Sequence, residues 1–412
     1  MIEFEQESLQ RPKSMVSIKV IGIGGAGGNA VDSIIEAGCQ GIGFVVANTD
    51  AQALEFSKAQ HKIQIGVKST KGLGAGANPE IGKRAAEEDL DKVMEALSGA
   101  DIVFIIGGMG GGTGSGGLPV IARALREKGI LSIAIVTRPF LFEGKRRASV
   151  AEAAIERLKH DVDTLIVIPN QKLLEVVDQH VSMIDAFAMI NEGILSQSVR
   201  GLSDIITRPG HINVDYADIR TIMKDRGLAV MGTGKASGIG RARHAALQAI
   251  SSPLLENMSV VGAHGVLCNI TGGKGLGLHE ISEAASVVYE QAHEDANIII
   301  GSVIDENLND EVIVTIIATD FECPATQKNE EILMEETHIY QEKIMHNNEA
   351  ALSFNASVPL SLNKEIETSM ITDKEKYHTS KHHTDSLEQV NTFGGARDSH
   401  DLDIPTFMRQ KN

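Results

Sequence analysis

Residues 107–117 read GGMGGGTGSGG, eight glycines in eleven positions, directly after the apolar run DIVFII. Glycine loses more conformational freedom on folding than any other residue, so such a run is costly unless something must approach bare backbone closely. A helical pattern beginning near Leu118 follows it. A strand, a glycine turn and a helix start place unsatisfied N–H donors and the positive end of the helix dipole at one point, which is how backbone holds an anion. The run therefore predicts a phosphate loop.

A second such loop, GIGGAGGN (22–29), lies between the strand-like SIKVIGI and the helix-like NAVDSIIEAG. Gly22, Gly24 and Gly27 satisfy GxGxxG, and Asp50 stands at the end of the next strand, near where a ribose-binding acid belongs. Alone, this is the dinucleotide fingerprint, and it admits an NAD(P)-dependent oxidoreductase as a rival reading. Two loops converging on one site suit a triphosphate instead, and a single dinucleotide unit has no need of the second. No GxxxxGK[ST] occurs, which excludes a P-loop ATPase.

The rest of the chain supports a large α/β fold. Strand-like runs at 17–23, 43–50, 101–108, 131–140 and 163–170 alternate with helical patterns and are apolar throughout, which predicts a parallel sheet covered on both faces. A long helical pattern, 182–210, is apolar on several sides and ends at Pro209 and Gly210. Strands at 265–272, 297–305 and 310–321, with helices near 241–252 and 279–293, predict a smaller α/β domain. The expected boundaries are an extension 1–16, a nucleotide domain 17–181, a central helix 182–208, a second domain 209–322, a disordered linker 323–399 and a terminal peptide 400–412. The linker is dominated by polar residues that bury too little apolar area to offset ordering entropy. The tip regains Ile404, Pro405, Phe407 and Met408, which predicts a partner-binding peptide.

Composition narrows the function. A net charge of −17 argues against nucleic-acid binding, which needs clustered Lys and Arg. Cys39, Cys268 and Cys323 are widely spaced and read as free thiols of a reducing cytoplasm. The grouping HTSKHH (378–382) reads as a solvated run rather than a metal site. The polar N-terminus does not read as a signal peptide, and no apolar stretch is long enough to span a bilayer.

GGGTGSG (110–116) resembles the tubulin signature. IGIGGAGGNAV, VVANTDAQAL, GLGAGANPEIGKRAAEE, RPFLFEGKRR and NVDYADIRTIM together resemble the bacterial cell-division GTPases of the tubulin/FtsZ family, from about Ile18 to Phe321 and again at LDIPTFMR. The resemblance implies GTP and GDP as ligands, with Mg2+ expected and no protein metal ligand assigned. It implies a tubulin-like fold, with a Rossmann-type GTPase domain joined by a long central helix to a smaller α/β domain. Phosphates would lie on Gly25, Ala26, Gly27, Gly28 and Asn29, and on Gly112, Thr113 and Gly114. Gly74, Ala75 and Gly76 would close over the γ-phosphate. Glu143 and Arg147 would meet the ribose region, Asn170 the sugar or base, and Phe187 and Asn191 the guanine. Asp403, Ile404, Pro405, Phe407, Met408 and Arg409 would dock membrane-tethering and regulatory division proteins at mid-cell. Ser115, Leu118 and Glu192 depart from the commoner family residues.

Nothing in these loops is an evident group for orienting water, which phosphoryl transfer requires. Asp215 and Asp218, with Asn213, are the candidates, and their spacing puts both carboxylates on one side of a helical turn. Following the central helix, they are expected at the end opposite the nucleotide. They would then act on the GTP of a head-to-tail neighbour. The bland alternative is that they only cap a helix.

Overall fold

The computed structural model describes residues 16–39, 41–172, 181–208, 212–252 and 262–321. The rest of the expected extension, Cys323, the linker and the terminal peptide lie outside them.

Ten strands form one sheet: β1 (Ile18–Ile23), β2 (Ile42–Asn48), β3 (His61–Gln64), β4 (Ile102–Gly108), β5 (Leu131–Arg138), β6 (Thr164–Pro169), β7 (Gly227–Ser237), β8 (Ala263–Gly272), β9 (Asn297–Ile304) and β10 (Glu311–Phe321). Their order is β3-β2-β1-β4-β5-β6-β7-β10-β8-β9. The first seven run parallel, and β10 is antiparallel to β7 and β8. β1, β4 and β5 are buried almost end to end, because helices cover both faces of the sheet.

The strands of the smaller α/β region continue the sheet of the first half, so the structure shows one continuous sheet. The seam is narrow: Thr164, Leu165 and Ile166 pair with Gly227, Leu228 and Ala229, and no further β6–β7 pairs follow. Three apolar cores flank the sheet: two on opposite faces of its first half, one of them continuing to Met231, Leu267 and Ile317 of the second half, and a third in the second half alone. Phe104 is the largest side chain fully buried among them.

The central helix begins at Met183–Ala188, capped by Ser182, whose hydroxyl accepts from the Asp185 N–H. It widens to a π-helical turn over Met189–Ser196 and continues as Gln197–Thr207. Its far end is tied to the residue after β9 by charge: Arg200 and Arg208 bind Asp305 at 3.0 and 3.5 Å, while Arg208 also pairs with Asp204 on the same helix at 3.1 Å. Burial pushes the Asp204 carboxyl up, against the pull of Arg208 and Arg200.

Candidate nucleotide site

A cleft of about 470 Å3 opens at the carboxyl ends of β1, β4, β5 and β6. Two helices start in it, Gly24–Glu36 after β1 and Thr113–Glu127 after β4. Neither has a side-chain cap at its N-terminus, so the first-turn N–H groups remain for a ligand. Gly24 adopts φ +74°, which only glycine takes without strain. A Cβ on Gly114 would stand 2.5 Å from the Gly108 carbonyl, whereas one on Gly25 would meet nothing, so that part of the loop lies open.

The structure brings together Gly25, Ala26, Asn29, Gly112, Thr113, Gly114, Glu143, Arg147, Asn170, Phe187 and Asn191 around this cleft. The π-helical turn supplies the Asn191 wall together with Ile190 and Leu195. The Asn170 side chain is buried and its Oδ1 has no hydrogen-bond partner. A buried acceptor in a polar cleft is an unfilled demand for a donor, so the residues present fit a polar ligand that brings a hydroxyl or N–H to Asn170 and an anion to the two uncapped helix starts.

Other expected contacts are placed differently. Gly27 is buried beneath β4, where a Cβ would meet the Ile106 carbonyl at 2.5 Å, and Gly28 packs toward Val46. Both serve helix–sheet packing and do not line the cleft. Gly74, Ala75 and Gly76 form an adjacent loop whose Ala75 packs on Gly112. Glu143 and Arg147 hold each other, and Glu143 Oε1 also accepts from the Phe140 N–H at 2.9 Å. Phe187 meets Phe140 edge-on at 5.5 Å, and Phe140 stacks on Phe142 at 4.9 Å. The Ser115 hydroxyl accepts from the Gly110 N–H at 2.9 Å, and buried Leu118 packs against Gly107. The Glu192 side chain lies outside the described residues. Asp50, the acid of the dinucleotide reading, caps the helix Ala51–Phe56 by accepting from the Gln52 and Ala53 N–H groups.

Met109, Thr137 and Pro139 also line the cleft and were not legible as site residues. Each sits at or just past a strand end, and strand-end position is the signal that marks them.

Asn213, Asp215 and Asp218 stand elsewhere. Asp215 caps the helix Tyr216–Met223 by accepting from the Asp218 N–H at 2.8 Å. That helix packs at the amino ends of the parallel strands: Tyr216 donates to the carbonyl of Asp101, just before β4, and Thr164, first in β6, donates to the Met223 carbonyl. The seven residues of β4 separate this end from the cleft, a span of roughly 20 Å at the usual strand rise.

Residues 17–178 match the Tubulin/FtsZ family, GTPase domain, and residues 227–322 match the FtsZ family, C-terminal domain. Among solved structures, an empty FtsZ dimer from M. jannaschii is 42% identical with TM-score 0.71, covering 75% of this chain and 89% of that one. GDP-bound CetZ1 from Haloferax volcanii is 23% identical with TM-score 0.65, covering 78% of this chain and 100% of that one. A GTPγS-bound CetZ2 protofilament from the same organism is 20% identical with TM-score 0.63, covering 80% and 100%, and these last two speak to the fold alone.

Proposed function

The chain belongs to the tubulin/FtsZ family of GTPases, and from that premise we propose that it assembles head-to-tail, Asn213, Asp215 and Asp218 of one copy completing hydrolysis in the next. The observation that carries this is the distance between cleft and acids. Among the described lining residues the only carboxylate is Glu143, already engaged by Arg147 and a backbone N–H. The candidate acids stand a strand's length away at the opposite end, so they meet a triphosphate only when another copy brings them to it. A heterologous contact that does not close propagates into a filament. One related FtsZ, 42% identical, is recorded as a dimer, which supports self-association.

In this reading the phosphates lie on Gly25, Ala26, Asn29 and Gly112 to Gly114, with Gly74, Ala75 and Gly76 beside the terminal one. Glu143, Arg147 and Asn170 take the sugar, and Phe187 and Asn191 take the guanine. Mg2+ arrives with the triphosphate, and no protein ligand is assigned to it. The role proposed is the cell-division ring at mid-cell, with the peptide around Asp403 to Arg409 docking tethers and regulators. A filament protein used outside division is the second reading; identity of 42% to FtsZ against 23% and 20% to CetZ favours the first. An oxidoreductase is disfavoured because Asp50 is spent on a helix cap.

The test is GTP hydrolysis per subunit over a dilution series, repeated with Asp218→Ala alone and mixed with wild type. Turnover should rise steeply at a critical concentration and collapse in the variant alone. Normal turnover by Asp218→Ala at assembling concentration refutes the shared site.

A further inference from the structure

Thr49, the residue after β2, is fully buried and joins two loops that no sequence pattern connects. Its hydroxyl lies 2.7 Å from the hydroxyl of Thr113, the first residue of the second cleft helix and part of the cleft wall. Its carbonyl accepts from the Thr70 hydroxyl at 3.3 Å and from the Gly74 N–H at 3.3 Å. Those bonds hold a loop in which Lys71, Gly72, Gly74, Gly76 and Ala77 all have positive φ. Left-handed backbone at Lys71 and Ala77 is strained and persists only where its surroundings fix it.

We propose that Thr49 is a positioning residue for GTP hydrolysis, orienting the Thr113 hydroxyl toward the terminal phosphate while anchoring the 70–78 loop beside it. The inference rests on reading the cleft as the GTP site. Between two hydroxyls either can donate, but an anion in the cleft accepts a proton only from Thr113. Thr49 must then donate to Thr113, and the chain Thr49 to Thr113 to phosphate oxygen runs in one direction. Hydrogen bonds aligned this way polarise one another, and the buried start of the chain fixes its rotamer. Ala75 packing on Gly112 makes the two loops one body at this point, so both depend on the same buried threonine. GDP lacks the terminal phosphate and gains nothing from the arrangement.

Thr49→Val keeps shape and carbonyl and removes only the hydroxyl. The expected result is a fall of about tenfold in kcat, in line with loss of one buried positioning hydrogen bond, with GDP affinity unchanged and Thr49→Ser restoring the rate. A second arm, Thr70→Val, removes the loop's side-chain bond to the Thr49 carbonyl while leaving the Thr49 hydroxyl in place, and should narrow the ratio of GTP to GDP affinity. Unchanged kcat in Thr49→Val, equal loss of GTP and GDP binding, or no rescue by Thr49→Ser overturns the proposal. Failure of Thr49→Val to fold, with an unchanged affinity ratio in Thr70→Val, overturns it as well. Wild-type protein that bound no GTP would instead sink the reading of the cleft, a distinguishable result.

Discussion

Asn170 is where the cleft shows its ligand most directly. Its Oδ1 is buried without a partner, so truncation removes an unmet acceptor and breaks no bond to that atom. Asn170→Ala should therefore leave the thermal midpoint within a few degrees while weakening nucleotide binding by about tenfold, the usual worth of one polar contact. Equilibrium binding of a fluorescent guanine nucleotide, with a melting curve beside it, checks both halves. Asn170, Phe187 and Asn191 were legible only through the family resemblance, because nothing local distinguishes them from structural residues. Thr113 was legible as a cleft hydroxyl, but its partner Thr49 was not, since sheet order and not spacing brings the two together. Gly27 and Gly28 share the loop's composition with Gly25 yet face the sheet, and helix phase decides which glycine meets a ligand.

Among the elements, eight of the ten strands could be read from apolar runs, and the two missed fail for different reasons. β3 is a short edge strand with exposed polar residues, which period and hydropathy cannot separate from a loop. β7 carries Gly232 and Gly234, where a Cβ would come within 1.9 and 2.0 Å of carbonyls in the helix Arg241–Ile250. There glycine records close helix–strand approach, although in sequence it reads as a turn. The same helix is pinned by buried Arg241, which binds both oxygens of Glu280 at 2.8 and 3.0 Å and Asp310 at 2.8 Å. The Arg241 hydrogen bond outweighs burial and holds the Glu280 carboxyl below its ordinary 4.5. A lowered folded value means the unfolded chain binds the proton more readily, so this stabilisation is present above about pH 4.5 and is lost as pH falls through the folded value. Glu280→Gln should cost about 1–3 kcal/mol at pH 7 and progressively less below pH 4.5. Urea midpoints of both proteins at pH 7 and pH 4 measure the convergence; a constant gap would assign the cost to packing instead.

At the scale of the whole molecule, the nucleotide end carries an apolar rim that a solitary subunit has no use for. Leu73, which bridges Asp50 just past β2, and Leu141 and Phe142, just past β5, are 86%, 73% and 67% exposed. Single exposed apolar residues need no explanation, but several on one face mark a contact surface. If that face meets the end of the next copy bearing Asp215 and Asp218, burying each side chain contributes about 1.5–3 kcal/mol of transfer free energy. Leu73 and Leu141 do not line the cleft, so Leu73→Asp and Leu141→Asp separate assembly from nucleotide binding. Each variant should bind GTP and GDP as wild type does, while its critical concentration, read by light scattering with GTP, rises about tenfold or more for a loss above 1.4 kcal/mol. Hydrolysis at a fixed protein concentration should fall in step with assembly and recover when concentration is raised past the new threshold. Lost turnover without lost assembly would mean that the rim acts on the cleft itself, and a turnover that ignored both substitutions would remove this face from the contact.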